Sequence, residues 1–166
     1  MRIGGAIVVG GLIAGTLDIA AAIALAGLKG VPPIAVLQYI ASGLLGRGVY
    51  QGGLASAALG GALHFFIALA AAAVFVAASL KLPALRRRPV RWGAAFGISV
   101  YAVMNGLVVP LSATTPDPTF SAAMLAIGLI IHVVLVGLPI ALIARHIIGQ
   151  EEWPHERVEL KAHSAA

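Results

Sequence analysis

The chain has no cysteine and little charge: none of its 166 residues is Cys, and 10% are Asp, Glu, Lys or Arg. Without thiols there are no disulfides, no thiolate metal sites and no cysteine nucleophile. No glycine-rich run leads into Lys-Ser or Lys-Thr, which excludes a phosphate-cradling loop of that kind. No serine stands in a nucleophile elbow, which argues against Ser-His-Asp hydrolysis. What fills the chain instead is apolar, with 60% hydrophobic residues and a mean hydropathy of +1.00. A soluble fold of this size has too little interior to hide that much apolar surface, whereas a lipid bilayer accepts it as exterior. The expected class is an all-α integral membrane protein, a four-helix bundle whose first partner is the bilayer. The length leaves room for one membrane domain, about 1–148, and a short tail.

Crossing the hydrocarbon core takes about 20 mostly apolar residues as a helix. Stretches at about 3–28, 52–80, 91–112 and 119–147 meet that requirement. Between the first two lies Val31 to Gly48, opened by Pro32-Pro33 and closed by Gly46-Arg47-Gly48. Its apolar positions Ile34, Leu37, Ile40, Ala41, Leu44 and Leu45 recur at helical spacing, with Gln38 and Ser42 on other faces. A helix over about 33–46 reaches only about 20 Å, too short to cross, and reads as an interfacial or re-entrant helix on the outer face. Segment 149–166 is polar and of mixed charge and reads as a solvated cytoplasmic tail. Its His155 and His163 lack metal-ligand spacing.

The pI of about 10.3 would suit a nucleic-acid binder, but the basic residues sort by loop instead of forming a face, so nucleic acid is not an expected partner. Arg2, Lys81, Arg86, Arg87, Arg88, Arg91, Arg145, Arg157 and Lys161 fall on one side of the spans, and Lys29 and Arg47 on the other. By the positive-inside rule both termini and the 81–91 loop face the cytoplasm, while 29–51 and 112–118 face outward. A competing reading makes the first span a cleavable signal processed at Ala24-Leu25-Ala26. Against it, the run exceeds the usual apolar core of about 7–15 residues and contains Asp18.

Helices in lipid associate through close backbone approach at small residues. Gly11-x-x-x-Gly15 lies in the first span, Gly48-x-x-x-Gly52 leads into the second, and Gly93-x-x-x-Gly97 lies in the third. Pro110 and Pro139 should end or kink the third and fourth helices. Spans two and four also share a Gly-x-x-x-His spacing, Gly60…His64 and Gly128…His132, a faint internal repeat with a twofold axis along the membrane normal.

Each span carries one strongly polar group: Asp18, His64, Asn105 and His132. Counted inward from the outer ends of their helices, they lie roughly 15, 18, 10 and 18 Å deep, which puts them in one layer. Polar side chains inside hydrocarbon are costly and persist with a partner or a task. One reading makes them interhelical glue, each bond contributing on average about 0.6 kcal/mol. A second makes them a small-solute or proton pathway, since Asp and His are the groups that change charge most readily there. A third is a cofactor site: His64 and His132 as haem ligands, or both with Asp18 as a two-His-one-carboxylate metal set. A fourth is an accessory subunit of a larger membrane complex or a homo-oligomer held through its glycine faces. No metal or cofactor is required by the residues, and the pattern favours a non-enzymatic protein.

The order of motifs resembles the YagU-type family of small bacterial inner-membrane proteins. The resembling pieces are Gly11-Leu-Ile-Ala-Gly15, His64-Phe-Phe opening a long apolar run, and the basic turn into Trp92-Gly93. Asn105 five residues before Pro110, the Thr115-Pro116 loop, and His132 in a span ending at Arg145 complete the series. The resemblance implies a multi-span bundle in a bacterial inner membrane. It brings no activity and no catalytic or binding residue. The chain departs from the family pattern by Asn105 where a His is expected and by the extra segment Val31–Gly48.

Overall fold

The computed structural model describes residues 2–114 and 121–149. The Thr115-Pro116 loop, the first residues expected of span four and nearly all of the tail lie outside the described residues. The elements are α1 (Arg2–Gly27), α2 (Pro33–Leu45), a 3-10 turn (Arg47–Gln51), α3 (Gly53–Lys81), α4 (Ala84–Arg87), α5 (Pro89–Leu111) and α6 (Ala122–Ile148). Helix α2 begins with Pro33, whose ring presets the helical φ where no N–H is needed. It stops at Gly46, whose φ of 70° suits glycine. At α6 the Ser121 hydroxyl caps the first turn by accepting from the Met124 N–H at 3.3 Å.

Helices α1, α3, α5 and α6 are each long and apolar enough to cross a membrane, with mean hydropathies of 2.1, 2.3, 1.7 and 2.7 over their best windows. Residue size reverses the order found in soluble domains. Most buried positions are small, among them Gly10, Gly11, Ala14 and Gly15 of α1, Ala57, Gly60, Ala68 and Ala72 of α3, and Gly93 and Gly97 of α5, with Phe75, Val76 and Ile140 the larger side chains buried between them. Large side chains point out, as with Phe66 (68% exposed) and Ile130 (61%). In water that arrangement would expose a broad apolar patch. In lipid it is the stable one, because tails solvate Leu and Phe while only small residues let helices approach.

Neighbouring helices run antiparallel. Along α1 and α3, Gly11 meets Leu69 and Gly15 meets the Phe65 ring; a Cβ added to Gly11 would stand 2.8 Å from the Leu69 Cα. Along α5 and α6, a Cβ on Gly93 would stand 2.9 Å from the Gly137 carbonyl oxygen, and one on Gly97 would strike the His132 carbonyl and the Val133 Cα. Gly137 reciprocates against the Gly93 carbonyl and the Gly97 backbone. Gly60 lies directly on the Leu37 carbonyl of α2. Gly48, by contrast, borders open space and takes no part in packing. Its Gly-x-x-x-Gly spacing falls in the 3-10 turn and not on a helix face, so it makes no seam.

Helix α2 meets the protein through a mixed face, with Ala41 of its apolar stripe buried beside two polar side chains. Gln38 and Ser42 are buried (5% and 2% exposed), whereas Leu44 and Leu45 are 62% and 57% exposed. Gln38 Nε2 donates to the Gly53 carbonyl and to Ser56 Oγ, both at 3.1 Å. Ser42 Oγ donates to the Tyr39 carbonyl at 2.6 Å and shares a 2.8 Å hydrogen bond with Thr114 Oγ1. In lipid an apolar face gains little by packing on protein, and a polar face must find partners there.

Two outcomes check this account. Gly97→Val should force the α5–α6 backbones apart at an overpacking cost of about 1–3 kcal/mol, read as a lower unfolding midpoint in detergent. Gln38→Leu should speed hydrogen exchange over 33–45 while leaving the four long helices protected.

Candidate functional site

The four polar residues line one cleft of about 290 Å³, together with Gly15, Ile19, Val36, Tyr39, Ile67, Met104 and Val136 among others. Helices α1, α3, α5 and α6 form its walls, and α2 covers it through Val36, Tyr39 and Ile40. A second cleft, about 360 Å³, shares Asp18, Ala22 and His132 with the first and rises along the α1–α6 seam to Leu28, Lys29 and Met124. The seam opens there because α1 packs closely on the Leu138–Ile148 half of α6 and not on the Ala122–Ile131 half. A groove of about 370 Å³ between α3 and α5 holds none of the four residues and is apolar apart from Ser99.

Two of the four sit in widened helical turns. Met104–Val108 and His132–Gly137 are π-helical, with Val109 N–H reaching back five residues to the Met104 carbonyl and Leu138 N–H to that of Val133. Each widened turn is followed by proline, Pro110 and Pro139, which supplies no N–H to continue the ordinary ladder and crowds the carbonyl four residues back. The prolines therefore reshape their helices without ending α6, and the widened turns carry Asn105 and His132. Such bulges recur at functional sites.

The hydrogen bonds fix what each side chain has left to offer. His64 Nε2 lies 2.8 Å from the Gly15 carbonyl oxygen on α1. His132 Nδ1 lies 2.9 Å from the Gly128 carbonyl oxygen of its own helix. A carbonyl oxygen only accepts, so both ring nitrogens are the protonated ones. In the neutral imidazoles the lone pairs are therefore on His64 Nδ1 and His132 Nε2. Asn105 Nδ2 donates to the Tyr101 carbonyl at 3.0 Å, which leaves its Oδ1 as an acceptor. Half-buried Asp18 makes no hydrogen bond or ion pair among the described residues.

The layer is thus assembled as a lining and not as a mutual network: no two of its four side chains bond to each other among the described residues. Nor do His64, His132 and Asp18 gather into a metal-holding group. The shared Gly-x-x-x-His spacing is used in two ways. His132 bonds back to Gly128, whereas His64 reaches across to α1 and Gly60 serves the α2 contact.

Two aromatic residues belong to this region that sequence reasoning missed. The Tyr101 ring stands edge-on to His132 with centroids 5.1 Å apart, and its edge fills the space over Gly128. Tyr39 lines the main cleft from α2. The available signal for Tyr101 is its place one turn before Asn105, on the same helix face.

No family model, curated protein or solved structure matches the chain.

The bonding pattern predicts distinct tautomers. At alkaline pH, ¹⁵N shifts should report His64 protonated on Nε2 and His132 on Nδ1; a shared tautomer would contradict the arrangement.

Proposed function

We propose that this membrane protein is non-enzymatic and that its Asp18/His64/Asn105/His132 cleft is a small-solute or proton site within a transport-related role. The single observation that carries the reading is that the four polar groups line a common cleft without bonding to one another, leaving a half-buried carboxylate with no partner among the described residues. Interhelical glue requires reciprocal satisfaction, and only the His64–Gly15 bond crosses between helices here. An open carboxylate at this depth costs stability and is kept for use. The sorting of Lys and Arg supports a cytoplasmic location for both termini. The resemblance drawn from motif order supports placement in a bacterial inner membrane.

The test compares stability with role. Asp18→Leu should leave the unfolding midpoint in detergent unchanged or raise it, since replacing an unpaired buried charge by an apolar group is neutral or stabilising. His64→Leu, which loses one interhelical bond, should lower it slightly, about 2–4 °C per kcal/mol lost. A clear fall in the midpoint of Asp18→Leu would return the layer to a packing role.

A further inference from the structure

The chemistry of the two clefts narrows the solute, an inference that rests on the reading above. Asp18 is the sole Asp or Glu among the described residues, and no Lys or Arg lines the main cleft. The fixed charge there is negative, so an anion would meet no counter-charge. Most of the polar atoms that remain are acceptors. Each histidine spends its protonated nitrogen on a backbone carbonyl, and Asn105 spends an N–H on Tyr101. What is left is the Asp18 carboxylate, one lone pair on each imidazole, the carbonyl oxygen and second N–H of Asn105, and the Tyr39 hydroxyl, so acceptors outnumber donors. Such a set calls for a cation that donates several hydrogen bonds.

Size and surroundings separate an organic cation from an inorganic one. Hard metal cations take about six or more oxygen ligands, and the described residues hold no group of three or more acidic or imidazole side chains able to grip an ion. The clefts, about 290 and 360 Å³, are of the size that small molecules fill. Their other walls are apolar, with Leu25, Ile127 and Ile131 above the layer and Ile19, Ile67 and Val136 around it. Tyr39 adds an aromatic face of the kind that attracts ammonium groups. Lys29 stands at the mouth of the upper cleft, its Nζ 3.2 Å from Met124 Sδ. It belongs to the turn that follows α1, eleven residues on from Asp18 and at the other end of that cleft, so within the layer itself the carboxylate is the fixed charge.

We propose that the site binds a protonated amine carrying an apolar body, the ammonium against Asp18 and the acceptors of the layer, the body in the cleft along α1 and α6. Entry is from the Lys29 end, through the upper cleft.

The experiment is equilibrium dialysis of the full chain in lipid nanodiscs, with empty nanodiscs subtracted. The probes are benzylammonium, its neutral isostere ethylbenzene, the anion benzoate, and benzyltrimethylammonium, which keeps the charge but lacks N–H donors. Benzylammonium should bind saturably, and at least tenfold more tightly than any of the other three. Asp18→Asn should weaken it by tenfold or more at an unchanged unfolding midpoint. Should that variant misfold, Leu25→Trp carries the test: filling the upper cleft should abolish binding, while Leu44→Trp on the lipid-facing side of α2 should not. Ethylbenzene or benzoate binding as tightly as benzylammonium would overturn the assignment of an amine and leave a solute site standing. Equal binding of benzyltrimethylammonium would overturn the role of the acceptors. Saturable binding by none of the four would overturn the proposal outright, whereas the reading of the layer as a site falls separately, on the stability of Asp18→Leu.

Discussion

Backbone contact at glycine governs this bundle. Where Gly93 and Gly97 of α5 meet Gly137 and the His132 carbonyl of α6, main chain lies on main chain with no room for a single added carbon. In lipid there is no hydrophobic effect to hold helices together, so dispersion at such close approach has to do it. The contacts lie on the half of the bundle that carries Arg2, Lys81, Arg86 and Arg145. Beyond them, toward Lys29, α5 and α6 are separated by a larger group, the Tyr101 ring, which occupies the space over Gly128 where a backbone might have come. The helices diverge from that level, and the clefts are the space they leave.

The polar layer sits where the divergence begins, and its hydrogen bonding follows from that position. Asn105 and His132 turn to carbonyls one turn back on their own helices, and of the four, among the described residues, only His64 crosses to a neighbour. The imidazole N–H donors are consumed on backbone, and their lone pairs are left to a cleft with one carboxylate. The widened turns ahead of Pro110 and Pro139 assist, since a π turn shifts the phase of the side chains it carries.

Much of the fold was legible. Length and hydropathy mark four spans, and the glycine pairs Gly11/Gly15 and Gly93/Gly97 mark seams that the structure contains. Gly48/Gly52 has the same spacing and makes none, because spacing matters only where the residues lie on a helix facing another. Of the site, the four polar residues were visible from their cost in hydrocarbon. Tyr101 and Tyr39 were not, since an aromatic residue in an apolar span is ordinary until a neighbour gives it a role. Which face of α2 meets the protein was not legible from its apolar spacing. Gln38 and Ser42 lie there beside Ala41 because Ser56, the Gly53 carbonyl and Thr114 are there to meet them.

The sequence by itself determined the solvent, the number of spans and the identity of the costly groups, because each follows from transfer free energies that act residue by residue. Only the tertiary structure decided which nitrogen of each histidine carries the proton, which face of α2 turns inward, and that Asp18 opens onto a cleft in place of a partner. Those outcomes depend on where one backbone stops approaching another, a distance set jointly by glycines and rings on helices far apart in the chain.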